Sequence, residues 1–226
     1  MKLSELTITA LQNCAKFNQH IVIAPGKVIK TVNEKKTTLI SCLVEDEFPV
    51  EVPLHDLSGF LKVLKLFTDP DFKFGEKSVV ITDATGASQE YYYSDKEDLI
   101  YDERDVNFPE ADIELSLPEE KLKAVISAAT TLGVEDIAIV GEGGKVYLKA
   151  LDKEKPKRVH SMLISEEDLG EFKVFLKHSK KGNKLDFLPL NYHVEINKKK
   201  IIQFTAKVED VEFKYFMAME RDSEFA

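Results

Sequence analysis

The sequence predicts helices laid on a mostly antiparallel β scaffold, and it predicts that scaffold twice. A helix, strand, turn, strand pattern opens each half of the chain. The segments between are short, rich in β-branched residues and broken by turn residues. At 226 residues the chain is one large domain or two of roughly 110 residues each.

The clearer copy covers residues 113–151. Residues 113–117 alternate apolar and polar, as a half-buried strand does. Pro118 stands where a helix begins, an amphipathic run reaches Leu132, and Gly133 follows where a helix C-cap wants glycine. A strand over 137–140, a Gly-rich turn ending in Lys145 and a strand over 146–151 complete it. The weaker copy starts at residues 2–4, with a helix to about Phe17, a strand over 21–24, the turn Pro25-Gly26-Lys27 and a strand from Val28.

In the first helix Leu6, Thr7, Ala10, Leu11, Cys14 and Phe17 recur at spacings of three and four and make the apolar face. Thr9, Gln12, Asn13 and Lys16 form the other face, with no acid after Glu5. Strands are expected over 28–32, 38–44 and 48–52, with Glu45-Asp46-Glu47 as an acidic loop. A second helix fits 55–67: Leu57, Phe60, Leu61, Leu64 and Phe67 line one stripe, Lys62 and Lys65 lie off it, and Asp69-Pro70 ends it. Strands over 72–74, 79–82 and 90–93 follow. Residues 94–112 are acidic, aperiodic and carry Pro109, and so read as a linker between halves 1–105 and 106–226. Val106 and Phe108, apolar in that charged setting, are of the kind that pins a linker to the fold.

In the second half strands are expected over 158–164, 172–176, 192–196, 201–206 and 211–219, with a lysine-rich helical stretch ending near Phe187 and a loose polar tail over 220–226.

Catalysis finds little footing. His20, His55, His160, His178 and His193 are scattered, with no metal-ligating pair. GEGGK at 141–145 lacks the spacing and the Ser or Thr of a phosphate loop and joins strand to strand, so it reads as a hairpin turn. Cys14 and Cys42 sit in apolar-periodic segments and read as buried hydrophobes of a reducing compartment. No stretch approaches the roughly 20 apolar residues of a membrane span, and no signal-peptide pattern opens the chain. No cofactor or metal is expected.

The net charge of −9 argues against a simple basic nucleic-acid binder unless positive charge is segregated. The pattern shows such segregation. Four expected helices carry Lys16, Lys62, Lys65, Lys121, Lys123, Lys177, Lys180, Lys181 and Lys184, while acids crowd the loops and linker. Glu119 and Glu120 are exceptions, placed in a first helical turn where the dipole favours them. Lysine rather than arginine suits loose phosphate attraction better than bidentate base recognition.

Over essentially its whole length the sequence resembles the trimeric sliding clamps of tailed phages, the processivity factors of replicative DNA polymerases, and more distantly the clamps of archaea and eukaryotes. The stretches that carry the resemblance are MKLSELTITALQNCAKFNQHI, DLSGFLKVLKL, VNFP, EDIAIVGEGGKVYLKA and YFMAME. The chain departs from the best-known phage clamps in a longer acidic linker and in its lysine-dense segment over 177–184. The resemblance implies an α+β protein of duplicated clamp-fold domains. Three subunits would stand head-to-tail in a ring, sheets outside and helices lining a hole that encircles double-stranded DNA. It implies a DNA polymerase and a clamp loader as partners, transcription factors in some relatives, no enzyme activity and a place in the host cytoplasm. The alternative from the residues alone is a non-ring phage structural or β-sandwich interaction module.

On this reading Gln12 and Asn13 join the nine lysines facing DNA. The subunit joint is expected at residues 90–94 and 158–164, with Tyr91, Tyr93, Met162 and Ile164 supplying apolar contact. The resemblance also implies an outer-face pocket, between the domains and beneath the linker, for a short apolar peptide of a partner. Val32, Val106, Phe108, Ile201, Phe216, Ala218 and Met219 are its candidates.

Overall fold

Ser4 starts the first helix, α1 (Glu5–Phe17): its hydroxyl accepts the Thr7 N–H at 3.2 Å, as an N-cap serine does. Thr7, Ala10, Leu11, Asn13 and Cys14 form the buried face of α1. The computed structural model describes residues 1–155, 158–178 and 185–226. They divide into two units, Met1–Asp105 with Lys207–Lys214, and Val106–Ala206 with Tyr215–Ala226.

In the first unit α1 is followed by β1 (Ile21–Ile23), β2 (Gly26–Val32), β3 (Thr38–Phe48), β4 (Val52–Leu54), α2 (Leu57–Leu64), β5 (Asp71–Phe74), β6 (Ser78–Thr82) and β7 (Ser88–Tyr92). β2 pairs antiparallel with β3, and β1 with β4. Thus β1 and β2 do not form the hairpin that the second copy of the pattern does. Gly26, at φ +116°, turns the chain so that consecutive strands take different partners. The acids Glu45, Asp46 and Glu47 are not a loop. They continue β3, with Val44 and Phe48 buried around the exposed Glu45 and Glu47, while Asp46 accepts the Ser4 N–H at 2.7 Å. The second helix is shorter than its apolar stripe: Asp56 caps it by accepting the Gly59 N–H at 2.7 Å. Beyond Leu64, the N–H groups of Lys65, Leu66 and Phe67 bond three residues back and tighten the end. α1 packs on β2, β3 and α2, and Leu11, Cys14, Ile29, Ile40, Cys42 and Leu57 are fully buried there. Each such aliphatic side chain contributes about 1.5–3 kcal/mol of transfer free energy.

The second unit contains β8 (Ile113–Leu117), α3 (Glu119–Leu132), β9 (Asp136–Glu142), β10 (Lys145–Leu151), β11 (Val159–Ser165), β12 (Phe172–Lys177), β13 (Tyr192–Asn197), most of β14 (Ile201–Val208), the end of β15 (Val211–Ala218) and β16 (Glu224–Phe225). One sheet has the order β11-β10-β9-β12-β16, and a ladder runs β14-β13-β8. α3 packs over β9, β10 and β11. Gly143 and Gly144, at φ +58° and +73°, close the β9–β10 hairpin with Glu142 opposite Lys145. This is the two-residue turn that needs glycine, and it accounts for GEGGK without a phosphate.

Gly133 ends α3 at φ +65°, ψ +32°, and the Val134 N–H returns to the Ala129 carbonyl at 3.0 Å. A Cβ there would meet no atom within 4 Å, so Gly133→Ala is expected to cost only the left-handed backbone strain, about 1 kcal/mol. A fall of a few degrees in the thermal midpoint is the expected measurement.

One expectation falls outside the described residues and one is corrected. Among the described residues there are three α-helices; Lys177 is the last residue of β12, and most of the lysine-rich stretch expected as a further helix, with Lys180, Lys181 and Lys184, lies outside the described residues. The tail is not loose. The Phe175 N–H donates to Ser223 Oγ at 3.0 Å, Glu220 N–H to the Phe175 carbonyl at 2.9 Å, and β16 adds to β12.

Candidate nucleic-acid interface

Helical geometry and burial sort the expected DNA-facing residues. Gln12 and Lys16 are exposed on α1, and Lys62 and Lys65 are exposed at the end of α2. Lys121 is half-buried in the first turns of α3, and Lys123 is exposed. Among the described residues, Lys16, Lys62, Lys65 and Lys121 have no acidic partner within ion-pair distance. Lys123 is paired with Glu119 one turn earlier. Lys177 meets Asp136 at 3.1 Å and Glu135 at 3.8 Å. Burial alone would lower its pKa, but the hydrogen bond and charge of Asp136 outweigh it and leave the amine raised. Its charge is therefore committed within the fold.

Asn13 is a correction. Its relative exposure is 0%, so it cannot face a ligand. Residue 13 falls at the margin of the stripe made by Thr7, Ala10, Leu11 and Cys14, close enough for packing to claim it. The other exposed residues of α3 are Glu120, Ser127, Thr130, Thr131 and Leu132, with the threonine hydroxyls donating to carbonyls four residues back.

Both strands expected at the subunit joint are sheet edges. β7 ends the order β5-β6-β7, and β11 ends its five-stranded sheet. Tyr91 is opposite the buried Val79, so its ring points to the core side, 5.2 Å from Phe60 of α2. Met162 is opposite the buried Leu148 on the side covered by α3, and Ile164 is half-buried. Each edge thus carries half-buried apolar side chains beside a helix. Among the described residues, the buried side-chain polar atoms without a partner are Thr31 Oγ1, Tyr93 Oη and His160 Nε2; the last two lie at these two edges. Sequence reasoning missed His160, since a lone histidine in a strand carries no signal.

Burial pushes the Tyr93 hydroxyl up to about 12. Its folded pKa lies above the ordinary value near 10. The stabilisation is present below pH 10 and is lost as pH rises toward 12. In an absorbance titration, Tyr93→Phe should remove a late-ionising tyrosine.

The peptide-pocket candidates fall in different units. Val32 is buried at the end of β2, and the Asn18 amide donates to its carbonyl at 2.8 Å and to that of Ile100 at 2.9 Å. The Ile100 N–H donates to His20 Nδ1 at 3.0 Å, so α1's exit holds the start of the linker. In the second unit, the Asn197 amide donates to the Glu110 carbonyl at 2.6 Å and the Asp112 N–H to the Ile196 carbonyl at 2.9 Å. The Met219 N–H donates to the Lys200 carbonyl at 3.0 Å, which sets Ala218 across from Ile201. Phe216 and Met219 are buried, Ala218 is exposed, and Val106, Phe108 and Ile201 are half-buried. The two linker-holding asparagines were not legible, because asparagine beside a turn reads as a turn residue.

No family model matches the chain. Among solved structures, the proliferating cell nuclear antigen of Entamoeba histolytica superposes with a TM-score of 0.73 at 13% identity, covering 95% of each chain. The PCNA2–PCNA3 complex of Sulfolobus tokodaii gives 0.68 at 15%, covering 97% of this chain and 98% of that one. These show the fold. Among sequences, the sliding clamp of Escherichia phage RB69 is 28% identical over 99% of this chain and 98% of its own. That of Enterobacteria phage T4 is 27% identical over 68% of each. The sliding clamp of Vibrio phage KVP40 is 32% identical over 97% of this chain and 99% of its own. Similarity of that extent, on a fold of duplicated helix-and-sheet units with lysines on its helices, shows that the chain belongs to the sliding clamp family.

Proposed function

We propose that three copies close head-to-tail into a ring around duplex DNA and tether the replicative polymerase for processive synthesis, a non-enzymatic role carried out in the host cytoplasm. The observation that carries it is the set of lysines on α1, α2 with its C-cap, and α3, namely Lys16, Lys62, Lys65 and Lys121, which have no acidic partner among the described residues, in a chain of net charge −9. Such contacts attract phosphate without fixing register. A closed ring needs no more, since it leaves DNA only by opening, and each strong contact would add a salt-dependent barrier to sliding. Lys180, Lys181 and Lys184, outside the described residues, belong to the same proposal. No helix among the described residues is long and apolar enough to cross a membrane.

The joint is proposed at β7 and β11. Joining them would hide two open edges, complete two apolar margins, and give Tyr93 Oη and His160 Nε2 neighbours. Partners, the polymerase and the clamp loader among them, are proposed to dock a short apolar peptide on the second unit. There Phe108, Ile201 and Ala218 supply apolar surface beside the anchored end of the linker, with Met219 buried beneath them.

The test joins mass to activity. Light scattering should give about three times the 25.6 kDa subunit, and the cognate polymerase with clamp and loader on a singly primed circle should make longer products per binding event than polymerase alone. A monomer, or product lengths unaffected by the clamp, would overturn the proposal and favour a non-ring interaction module.

A further inference from the structure

The β13–β14 turn, Asn197-Lys198-Lys199-Lys200, is held at nearly every donor. The Lys198 N–H donates to the Asp112 carboxylate at 2.8 Å and the Lys199 N–H to Asn197 Oδ1 at 2.9 Å. The Lys200 N–H returns to the Asn197 carbonyl at 3.0 Å, and the Asn197 amide holds the Glu110 carbonyl. Lys200 sits at φ +71°, where glycine is the easier residue. Its amine explains the choice: it donates to the carbonyls of Arg221, at 2.9 Å, and Ser223, tying the turn to the tail.

What remains is a rigid turn with two exposed ammonium groups, Lys198 and Lys199, that have no acidic partner among the described residues. Those cations adjoin the apolar surface of Ile201 and Ala218 through the Lys200–Met219 hydrogen bond. Asp112 is already engaged by the turn's own backbone. Two adjacent cations without an acidic partner among the described residues make a local positive charge in an acidic chain. The turn's backbone is already held, so an anion that binds has to order only the two side chains.

We infer that Lys198 and Lys199 select the partner: the peptide docked on this unit carries aspartate or glutamate beside its apolar anchor, and these two lysines receive those carboxylates. The inference rests on the peptide-docking site proposed above and adds the charge of its occupant. Neutral or basic peptides with the same anchor would bind more weakly, so the turn would discriminate among chains that share only hydrophobicity.

The experiment uses overlapping labelled peptides spanning the cognate polymerase, measured by fluorescence anisotropy against the intact clamp, Lys198→Glu/Lys199→Glu and Lys198→Gln/Lys199→Gln. Light scattering confirms that each variant keeps the wild-type mass. The tightest wild-type binder should contain acids next to apolar residues. Its affinity should fall on the order of tenfold in the Glu variant and less in the Gln variant, and fall with added salt less steeply in both variants than in wild type. A peptide that binds wild type and both variants equally overturns the assignment of these lysines and leaves the docking site standing. Binding by no peptide to the wild-type ring overturns the docking site, and this inference with it.

Discussion

Ser161→Pro is expected to yield monomers at micromolar concentration while each subunit stays folded. The Asp152 N–H donates to the Arg158 carbonyl, and antiparallel ladders alternate bonded and non-bonded pairs. The register then turns the backbone donors of His160 and Met162 toward β10 and that of Ser161 outward. Proline at 161 would therefore remove an N–H that no strand of the same subunit uses, and would place a ring where a neighbouring strand must approach. By the same alternation, the Tyr93 N–H bond to the Lys77 carbonyl, 2.9 Å, leaves Glu90 and Tyr92 of β7 with outward donors. Sedimentation or light scattering should give close to 25.6 kDa for the variant, with circular dichroism like wild type. Ser161→Ala keeps the donor and should remain trimeric. An unchanged trimer in the proline variant would place the joint elsewhere.

What the sequence made legible were features governed by local chemistry. Pro118 and Gly133 bracket α3 because their backbone preferences fit one end of a helix each. Gly143 and Gly144 close a hairpin because both positions need positive φ. The strands flanking them follow from alternation alone. Decisions taken by partners distant in sequence were not legible. The exchange that pairs β1 with β4 joins Ile21 to Leu54. The tail 220–226 carries too few apolar residues to announce that it docks, yet Ser223 is buried because an edge strand offers it a hydrogen bond. Within the candidate sites, exposure followed the 3.6-residue period for Gln12, Lys16, Lys62 and Lys65 but not for Asn13 at the stripe margin. Charge pairing was harder still. Glu119 is one turn from Lys123 and could be read in advance, whereas Asp136 and Lys177 are 41 residues apart and meet only across two strands.

That pairing decides which lysine substitutions should matter. Lys16→Glu/Lys62→Glu/Lys65→Glu is expected to cut processivity severely while the trimer forms normally. All three side chains are exposed and unpaired within the described residues, so their replacement breaks no internal ion pair and should shift stability by no more than about 0.5 kcal/mol each. Their effect on DNA is different in kind. In a ring, every subunit presents the same three charges to the same duplex, and reversal converts attraction into repulsion at each position. Where these lysines neutralise phosphates, the log–log dependence of clamp retention on salt should flatten by about 0.9 for each phosphate that is no longer neutralised. Lys123→Glu is the informative contrast. Lys123 already sits against Glu119, so the variant should lower processivity less than any one of the three unpaired lysines does. The measurement is product length per binding event on a primed circle at moderate salt, with light scattering on each variant. Wild-type product lengths from the triple variant would remove α1 and α2 from the DNA-facing surface. A triple variant that no longer forms trimers would instead show that these lysines act in assembly, and would move the DNA contact to other elements.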